Sequence, residues 1–172
     1  FTNLIEPLSL DECFLDVTKN KLNMTPLEIG KAIKGTIKME LNLTASVGIA
    51  PNKLLAKIAS DINKPDGLFY LKEEEIENFM KDLEVSKLWG VGEVTFNKLK
   101  SLNITTCNEL QKLTILELSN LFGVFGETLF YFARGIDNRA VEPERIEKSI
   151  GEEKTFITDT DDKQFLAETV KE

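Results

Sequence analysis

Apolar residues recur every fourth position in residues 26–41, at Ile29, Ile33, Ile37 and Leu41. Just before them, Thr25-Pro26-Leu27-Glu28 combines a hydroxyl with a carboxylate three positions later and a proline between them. A hydroxyl and a carboxylate at this spacing form a capping box, and proline suits the first helical position. The pattern therefore predicts an amphipathic helix over residues 26–41.

Shorter apolar segments on both sides of this helix predict strands. Residues 8–17 have the pattern of a strand that includes Leu8 and Leu10, a bend with the acidic pair Asp11-Glu12, and a second strand. The next predicted elements are a buried strand over residues 44–50, a helix capped by Asn52 that runs to about Asn63, a turn at 65–67 and a strand over 68–71. Strands that alternate with helices are typical of α/β and α+β folds.

The pattern changes near residue 72. From residue 73 to residue 133 the sequence has only short helical segments, which glycines separate at Gly90, Gly92, Gly123 and Gly126. Two of the segments begin with a capping box, Thr106 with Glu109 and Thr114 with Glu117. This stretch predicts a small all-helical domain.

Alternating charges and Pro143 indicate a linker after that domain. A strand around residues 148–157 and a helix from about residue 161 then begin a third unit. The sequence starts at Phe1 without an initiator methionine and stops within that helix. We therefore expect a piece of a longer intracellular chain.

Composition narrows the possible chemistry. The chain has 172 residues, of which 42% are apolar and 29% charged, as in globular rather than disordered proteins. It contains no histidine, which excludes histidine triads, histidine metal ligands and imidazole proton shuttles. Cys13 and Cys107 provide neither a disulfide framework nor a cysteine-rich zinc site, and we interpret both as reduced, packed residues. Catalysis would have to use carboxylates, lysines, hydroxyls or backbone dipoles.

The net charge of −8 argues against a polycation that coats nucleic acid. Much of the acidity lies in residues 72–84 and 149–172, whereas residues 85–112 hold four lysines and two glutamates and are mildly basic. No apolar stretch approaches the roughly 18 residues of a membrane span, and no signal peptide begins the chain, so we expect no membrane partner.

The acidic pair Asp11-Glu12 is a candidate metal site. At a bend, two adjacent carboxylates can converge on one hard cation, and Mg²⁺ prefers oxygen ligands, some of them from substrate phosphates. Two such ions can activate a 3′-hydroxyl group and stabilise a leaving pyrophosphate. A bare Asp-Glu pair is more commonly a solvent-exposed acidic turn, and the apolar segments around it favour a metal site only slightly.

Lys53, Lys57 and Lys64 lie at positions i, i+4 and i+11, so the second helix and its C-terminal edge present them on roughly one side. Lysine is a point-charge partner for phosphate, and Asp61 is placed to pair with Lys57. The alternative interpretation is an ordinary polar helix face opposite the apolar one.

A third candidate is Trp89-Gly90-Val91-Gly92, directly before a predicted helix; we call residues 90–92 the glycine hairpin. Glycines at a helix N-terminus let backbone N–H groups approach a phosphate, which holds nucleic acid without reading its bases. The alternative is a turn that only connects helices. A looser copy at residues 122–126 favours DNA binding, and we interpret the aromatic residues near it as helical core.

Taken in order, these segments resemble the Y-family, or lesion-bypass, DNA polymerases, most closely the bacterial DNA polymerase IV branch. Residues 9–18, Ser-Leu-Asp-Glu-Cys-Phe-Leu-Asp-Val-Thr, resemble the palm signature of that family. Residues 45–57, Ala-Ser-Val-Gly-Ile-Ala-Pro-Asn-Lys-Leu-Leu-Ala-Lys, and residues 60–67, Ser-Asp-Ile-Asn-Lys-Pro-Asp-Gly, resemble a second signature. Residues 89–92 resemble the thumb hairpin, and residues 139–143 with 148–156 the linker into the little finger. The resemblance covers essentially the whole chain.

The resemblance implies an α+β fold in four parts. These are the C-terminal part of a polymerase palm, a sheet with helices, over residues 1–71; an all-helical thumb with helix-hairpin-helix elements over 72–138; a linker over 139–148; and the first strand and helix of an α+β little finger over 149–172. The N-terminal palm strand with its further metal ligand, the fingers, most of the little finger and the C-terminal tail are absent from this sequence. We therefore expect the piece to be inactive alone.

The resemblance also implies roles for single residues. Asp11 and Glu12 would be catalytic carboxylates that bind Mg²⁺, two ions in the full-length enzyme. Lys64 would contact the triphosphate of the incoming nucleotide, with Lys57 in support, and Gly90, Val91 and Gly92 would hold a DNA-backbone phosphate. Cys13 and Phe96 stand where the family commonly has alanine, and Phe96 is expected to crowd the helix after the hairpin.

The implied parent enzyme is a cytoplasmic bacterial, template-directed, low-fidelity DNA polymerase that inserts deoxynucleotides opposite damaged template. Its implied partners are primer-template DNA, deoxynucleoside triphosphates and a sliding clamp, the last through the absent tail. The alternative is a non-catalytic helix-hairpin-helix DNA-binding module in which Asp11-Glu12 is only a turn.

Overall fold

The computed structural model of the chain describes residues 1–144, 151, 153 and 155–169. Helices and short strands alternate in the first part of the chain, and helices alone follow, so the predicted α+β class is confirmed. The strands are β1 (Ile5–Pro7), β2 (Cys13–Leu15), β3 (Val47–Ile49) and β4 (Leu68–Tyr70). The helices are α1 (Pro26–Leu41), α2 (Lys53–Ile62), α3 (Ile76–Asp82), α4 (Glu93–Ser101), α5 (Cys107–Leu110), α6 (Ile115–Phe122), α7 (Phe125–Phe132) and α8 (Lys163–Thr169), with 3₁₀ turns at Glu73–Glu75 and Val85–Lys87.

Strands β1 and β2 pair as an antiparallel hairpin. Residues 8–12 connect them, and we call this segment the carboxylate turn. The N–H groups of Leu8 and Ser9 both donate to the carbonyl oxygen of Glu12, at 2.8 and 3.2 Å, so they close the turn instead of extending the strand ladder. The prediction that Leu8 and Leu10 belong to the first strand is therefore wrong, and Leu10 is fully exposed.

Strands β3 and β4 pair in parallel, and α2 connects them. β3 is shorter than the predicted strand over residues 44–50 and packs tightly on α2: a Cβ atom at Gly48 would lie 2.1 Å from the carbonyl oxygen of Ala56. Helix α1 has the predicted bounds, and both halves of its capping box form between Thr25 and Glu28. The side chain of Asn52 caps α2 as predicted, by accepting the N–H of Leu55.

The helical stretch from α3 to α7 has the predicted short segments, and its two capping boxes form. Its buried side chains share one hydrophobic core with residues of α2 and with the residue after β4. The core residues are Leu54, Leu55, Ile58, Leu71, Met80, Val85, Leu88, Leu99, Ile104, Cys107, Leu110, Leu118, Leu129, Phe132 and Ala133. This core runs across residue 72, and the three boundaries proposed between the four parts of the chain stay predictions.

The structure also tests the expectations for the two cysteines and for the aromatic residues of helices α6 and α7. Burial of Cys107 agrees with its interpretation as a packed residue and raises the pKa of its thiol to about 12. Cys13 is a free cysteine as expected, but it is exposed, so the prediction that it is packed is wrong. Along β2 the neighbouring Phe14 is buried and Cys13 points the other way. Four of the five aromatic residues expected as helical core between residues 122 and 132 belong to the core or pack against it: Phe122, Phe125, Phe130 and Phe132. The fifth, Tyr131, is 38% exposed, so the expectation is wrong for it.

The predicted third unit is described only in part. The strand expected around residues 148–157 includes residues 148–150, 152 and 154, which lie outside the described residues, and residues 151, 153 and 155–157 are not in a strand. Helix α8 forms close to its predicted start, and the rings of Phe156 and Phe165 lie 5.2 Å apart.

Candidate functional site

The carboxylate turn presents two acidic side chains at the end of the β1–β2 hairpin. Asp11 is exposed and Glu12 half-buried. The hydroxyl of Ser9 donates to Oδ1 of Asp11 at 2.8 Å, which orients that carboxylate within the turn. The backbone of Glu12 closes the turn, so both carboxylates are held on the same tight bend.

Side chains from α2 and the segment after it converge on this turn. Lys57 Nζ lies 2.6 Å from Glu12 Oε1, and Lys64 Nζ lies 4.0 Å from the same oxygen. Lys64 also binds Asp61 Oδ1 at 2.5 Å, and the predicted pair between Lys57 and Asp61 forms at 3.7 Å. Ion pairs thus connect four side chains into one cluster beside Asp11: Glu12, Lys57, Asp61 and Lys64.

The ionisation of this cluster follows from its contacts. Burial alone would raise the pKa of Asp61, but the hydrogen bond from Lys64 and the charges of Lys57, Lys64 and Lys87 together lower it. The hydrogen bond to Asp61 raises the pKa of Lys64, against a smaller opposite effect of burial, and the charges of Glu12 and Asp11 add to the rise. Lys64 is therefore a firmly charged ammonium group that is half-exposed, which suits contact with an anion.

Lys53 does not belong to this cluster, although its spacing predicted one side for all three lysines. Its ammonium group binds both carboxylate oxygens of Glu6, at 2.7 and 3.0 Å, and lies 5.6 Å from the centre of the Phe14 ring. Only 9% of its side chain is exposed, so Lys53 joins α2 to β1 instead of facing solvent. Sequence spacing gave no sign of this because Glu6 is 47 positions away.

The side chains of the carboxylate turn offer the type of ligand atom that a magnesium ion prefers. Asp11 and Glu12 supply carboxylate oxygens, and Mg²⁺ is commonly bound by one or two carboxylates together with waters and substrate phosphates. Within the described residues, no group of three His, Cys, Asp or Glu side chains lies close enough to hold a metal ion. A second ion would therefore need ligands that the described part of the chain does not bring together.

The glycine hairpin lies between the 3₁₀ turn at Val85–Lys87 and α4. Gly90 has φ +88°, and a Cβ atom there would lie 2.8 Å from the ring of Phe125, so glycine is required by both backbone and packing. Gly92 has ordinary extended dihedrals, and a Cβ atom there would meet nothing within 4 Å. Gly92 also begins α4 without a side-chain cap, which leaves the first N–H groups of that helix open to a ligand.

Phe96 lies in the first turn of α4, directly after the hairpin, and the expectation that it crowds this helix stays a prediction. It is half-buried against the core, and its N–H donates to the carbonyl oxygen of Gly92 at 2.9 Å, the first regular bond of α4. The second copy at residues 122–126 is built differently: Gly123 has φ +60° with open space around it, whereas a Cβ atom at Gly126 would lie 2.3 Å from the Leu118 backbone. Gly126 therefore serves the packing of α7 on α6.

Asp137 and Arg139 were not among the site residues predicted from the sequence. Arg139 was expected in the linker, yet its guanidinium group binds the Asp137 carboxylate and lies 4.5 Å from the centre of the Trp89 ring. Asp137 in turn accepts the N–H of Leu54 at 3.0 Å, across 83 positions of sequence. Asp137 and Arg139 lie only two positions apart, but the contacts that join this pair to Leu54 and Trp89 come from distant segments, and no local pattern marks those contacts.

Comparison with known proteins gives matches along most of the chain. The family profile described as impB/mucB/samB family matches residues 1–61, and the profile described as DNA polymerase-iota, thumb domain, matches residues 86–137. DNA polymerase IV of Francisella philomiragia is 53% identical over 161 residues, which cover 92% of this chain and 46% of that relative.

Solved structures give the same result. The crystal structure of DinB from Sulfolobus solfataricus matches with a TM-score of 0.74 and 33% identity, over 81% of this chain and 42% of that chain. A Y-family DNA polymerase chimera matches with a TM-score of 0.74 and 33% identity, over 80% and 41%. No helix in the described residues is long and apolar enough to span a membrane.

The chain spans about half the length of the relatives it matches. Its first part matches one family profile, its helical part matches a thumb profile, and the relatives and structures match both parts together. The chain belongs to the Y family of DNA polymerases.

Proposed function

We propose that the chain is part of a template-directed, low-fidelity DNA polymerase that inserts deoxynucleotides opposite damaged template. The observation that carries this proposal is the carboxylate turn, where Asp11 and Glu12 lie beside the charged Lys57 and Lys64. Carboxylates attract divalent cations and lysines attract phosphates, so the cluster can bind a nucleoside triphosphate together with its metal.

In this proposal Asp11 and Glu12 are the catalytic carboxylates and hold Mg²⁺. The bound ions supply activation of the primer 3′-hydroxyl group and stabilisation of the leaving pyrophosphate. Lys64 contacts the triphosphate, and Lys57 holds Glu12 in place and adds charge on the same side. Because Asp61 and Glu12 share both lysines, an incoming triphosphate would compete with these carboxylates for the ammonium groups.

Gly90, Val91 and Gly92 hold a DNA-backbone phosphate in the same proposal. The open space at Gly92 and the uncapped start of α4 support this role, because phosphate can approach backbone N–H groups there. Primer-template DNA and deoxynucleoside triphosphates are then the partners of the whole protein. A sliding clamp as a further partner and a location in the bacterial cytoplasm belong to the same proposal.

The 172-residue chain alone is proposed to be inactive. A two-ion site needs more ligands than the described residues bring together, and a net charge of −8 limits binding to phosphates. We expect weak, strongly salt-dependent DNA binding by the chain, with a Kd of roughly 10⁻⁴ to 10⁻⁶ M.

Primer extension by the complete polymerase tests the proposal. Asp11→Ala and Glu12→Ala should each abolish extension while primer-template affinity stays within a few-fold, because metal-borne charge acts on the transition state and DNA binding rests on backbone contacts. Glu74→Ala, an exposed acidic residue outside the cluster, is the matched control and should extend normally.

Wild-type extension rates in both variants would contradict the metal-site assignment. A different outcome is a wild-type protein that binds DNA normally but does not extend a primer. In that case the non-catalytic DNA-binding module would be the correct interpretation. Template-dependent extension by the 172-residue chain itself would contradict the claim that further ligands are required.

A further inference from the structure

Two hydrogen bonds connect the loop that follows α7 to the N-terminal end of α2. Asn52 Nδ2 donates to the carbonyl oxygen of Gly135 at 2.8 Å, while the N–H of Leu54 donates to Asp137 Oδ2 at 3.0 Å. Asn52 also caps α2 through its Oδ1 atom. These bonds tie the end of the helical region to the helix that carries Lys57.

Asp137 is an almost completely buried carboxylate whose oxygens are shared with one arginine. Its side chain is 1% exposed. Arg139 donates from Nε to Oδ1 and from a terminal nitrogen to Oδ2, both at 2.8 Å, and its backbone N–H donates to Oδ1 at 3.2 Å. Burial alone would raise the pKa of Asp137, but the bonds from Arg139 and Leu54 outweigh it and lower that pKa. The two-point contact fixes the plane of the guanidinium group.

That plane lies against Trp89, the residue before the glycine hairpin. The guanidinium carbon of Arg139 is 4.5 Å from the centre of the Trp89 ring and 5.2 Å from that of Phe132. The Trp89 ring also contacts Phe14, with ring centres 6.0 Å apart, and Phe14 follows Glu12 by two positions on β2. Trp89 thus contacts both Arg139, which is held through Asp137 at the start of α2, and Phe14 of the β1–β2 hairpin.

We propose that Asp137 and Arg139 hold Trp89, and through it the glycine hairpin, at a fixed position relative to the carboxylate turn. Arg139 is in this view a positioning residue for the DNA-backbone contact, not a group that touches DNA. The DNA part of this inference rests on the proposed function; the packing part does not.

The competing explanation is that Arg139 binds a phosphate directly, since 45% of its side chain is exposed. The two explanations differ in what a lysine would do at this position. Lysine keeps the charge but has neither the planar fork that binds Asp137 at two points nor the flat face that stacks on Trp89. A direct phosphate contact would survive Arg139→Lys, whereas a positioning role would not.

The experiment uses the 172-residue chain and its Arg139→Lys, Arg139→Gln and Asp137→Asn variants. Trp89 is the single tryptophan of the sequence, so intrinsic fluorescence and acrylamide quenching report directly on its packing. Affinity for a primer-template duplex is measured by fluorescence anisotropy over a salt series. Arg134→Lys is the matched control, because Arg134 stacks on Phe130 at 3.6 Å in the same helical region.

We expect red-shifted Trp89 emission and stronger quenching in all three variants, and neither change in Arg134→Lys. Arg139→Lys and Arg139→Gln should weaken DNA binding by a similar factor of about three to ten, with the salt slope unchanged. Asp137→Asn keeps an acceptor oxygen for Leu54 and should give the same changes more weakly, which provides a test if a substitution at Arg139 unfolds the chain.

Unchanged Trp89 emission in the variants would overturn the inference whether or not DNA binds. Wild-type affinity in Arg139→Lys, with a salt slope lower by about one in Arg139→Gln, would identify a direct phosphate contact instead. If the wild-type chain binds no DNA at all, the proposed function fails for this chain, and the fluorescence comparison still decides the packing claim.

Discussion

The carboxylate turn and the glycine hairpin are held in place by different forces. In the turn, the orientation of Glu12 depends on an ion pair with Lys57 whose two side chains are 35% and 28% exposed. In the hairpin, Gly90 has a backbone conformation that other residues rarely adopt, and the Phe125 ring fills the space where a side chain would be. One site is made by side-chain charge and the other by backbone and packing.

Substitutions in the carboxylate turn can therefore change its chemistry without changing the stability of the fold, whereas a substitution at Gly90 changes both. Exposed ion pairs contribute at most about 1 kcal/mol, so the residues of the turn can change with little effect on folding. Gly90 itself is exposed, but a side chain there would clash with the Phe125 ring, which packs against the core, so its replacement affects the fold before it affects a ligand. Between the two lies Gly92, whose surroundings are open.

The largest expected effect compares two lysines of one helix. Lys53→Met breaks a buried ion pair, because the side chains of Lys53 and Glu6 are only 9% and 13% exposed. It should lower the free energy of unfolding by about 3 kcal/mol. The loss is not larger because the N–H of Glu142 still donates to the Glu6 carboxylate. Lys57→Met, its matched control, should lower it by less than about 1 kcal/mol. Urea unfolding measures both, and equal losses would contradict the distinction between a structural and a site lysine.

A second prediction compares two glycines of one hairpin. Gly90→Val should lower the free energy of unfolding by about 2–4 kcal/mol, because of the positive φ and the clash with Phe125. Gly92→Val should lower the free energy of unfolding by no more than about 1 kcal/mol, the cost of valine at a helix N-cap, and should weaken DNA binding irrespective of sequence, because it blocks phosphate from the start of α4. Denaturant unfolding and anisotropy with two unrelated duplexes provide the data. Normal DNA affinity in a folded Gly92→Val variant would remove the hairpin from the DNA contact.

The smallest expected effect concerns pH and the capping box of α5. The N–H groups of Thr105 and Thr106 donate to the Glu109 carboxylate at 2.7 and 3.0 Å and lower its pKa to about 2. In an unfolded chain this pKa is about 4.3, so the stabilisation is complete above that value and is lost as the pH falls from about 4.3 towards 2.

The stability difference between wild type and Glu109→Gln should therefore be largest near neutral pH and shrink in that acid range. Urea unfolding from pH 7 to pH 2.5 measures it, with Glu144→Gln as an exposed control outside any capping box. A difference independent of pH would mean that the charge of Glu109 does not contribute to the cap.

Local sequence patterns predicted the elements whose signals lie within a few residues. Thr25 and Glu28 marked the start of α1, and Asn52 marked that of α2, because a capping side chain binds N–H groups two or three positions ahead. The bend at residues 8–12 was predicted, but the strand before it was misplaced, since apolar Leu8 and Leu10 resemble strand residues and only the hydrogen bonds to Glu12 reveal a turn. Exposure of Cys13 likewise depends on which face of β2 packs inward.

For the site, spacing placed Lys57, Asp61 and Lys64 together correctly and Lys53 wrongly. Lys53 and Lys57 lie on nearly one side of α2, and Lys64 follows its C-terminal end. Which carboxylate each lysine meets depends on where the β1–β2 hairpin packs. The roles of Asp11, Glu12 and the hairpin glycines in binding metal and DNA stay predictions.

The sequence by itself determined the helices and their caps, the two glycine turns and, through its ordered motifs, the polymerase family. These depend on interactions between residues close in sequence or on motifs that can be matched directly. Only the tertiary structure decided that Lys53 is structural, that a side chain at Gly90 would meet Phe125 whereas one at Gly92 would meet nothing, and that Asp137 and Arg139 join Trp89 to α2. Those properties depend on contacts between segments up to 83 positions apart, which become visible only when the chain has folded.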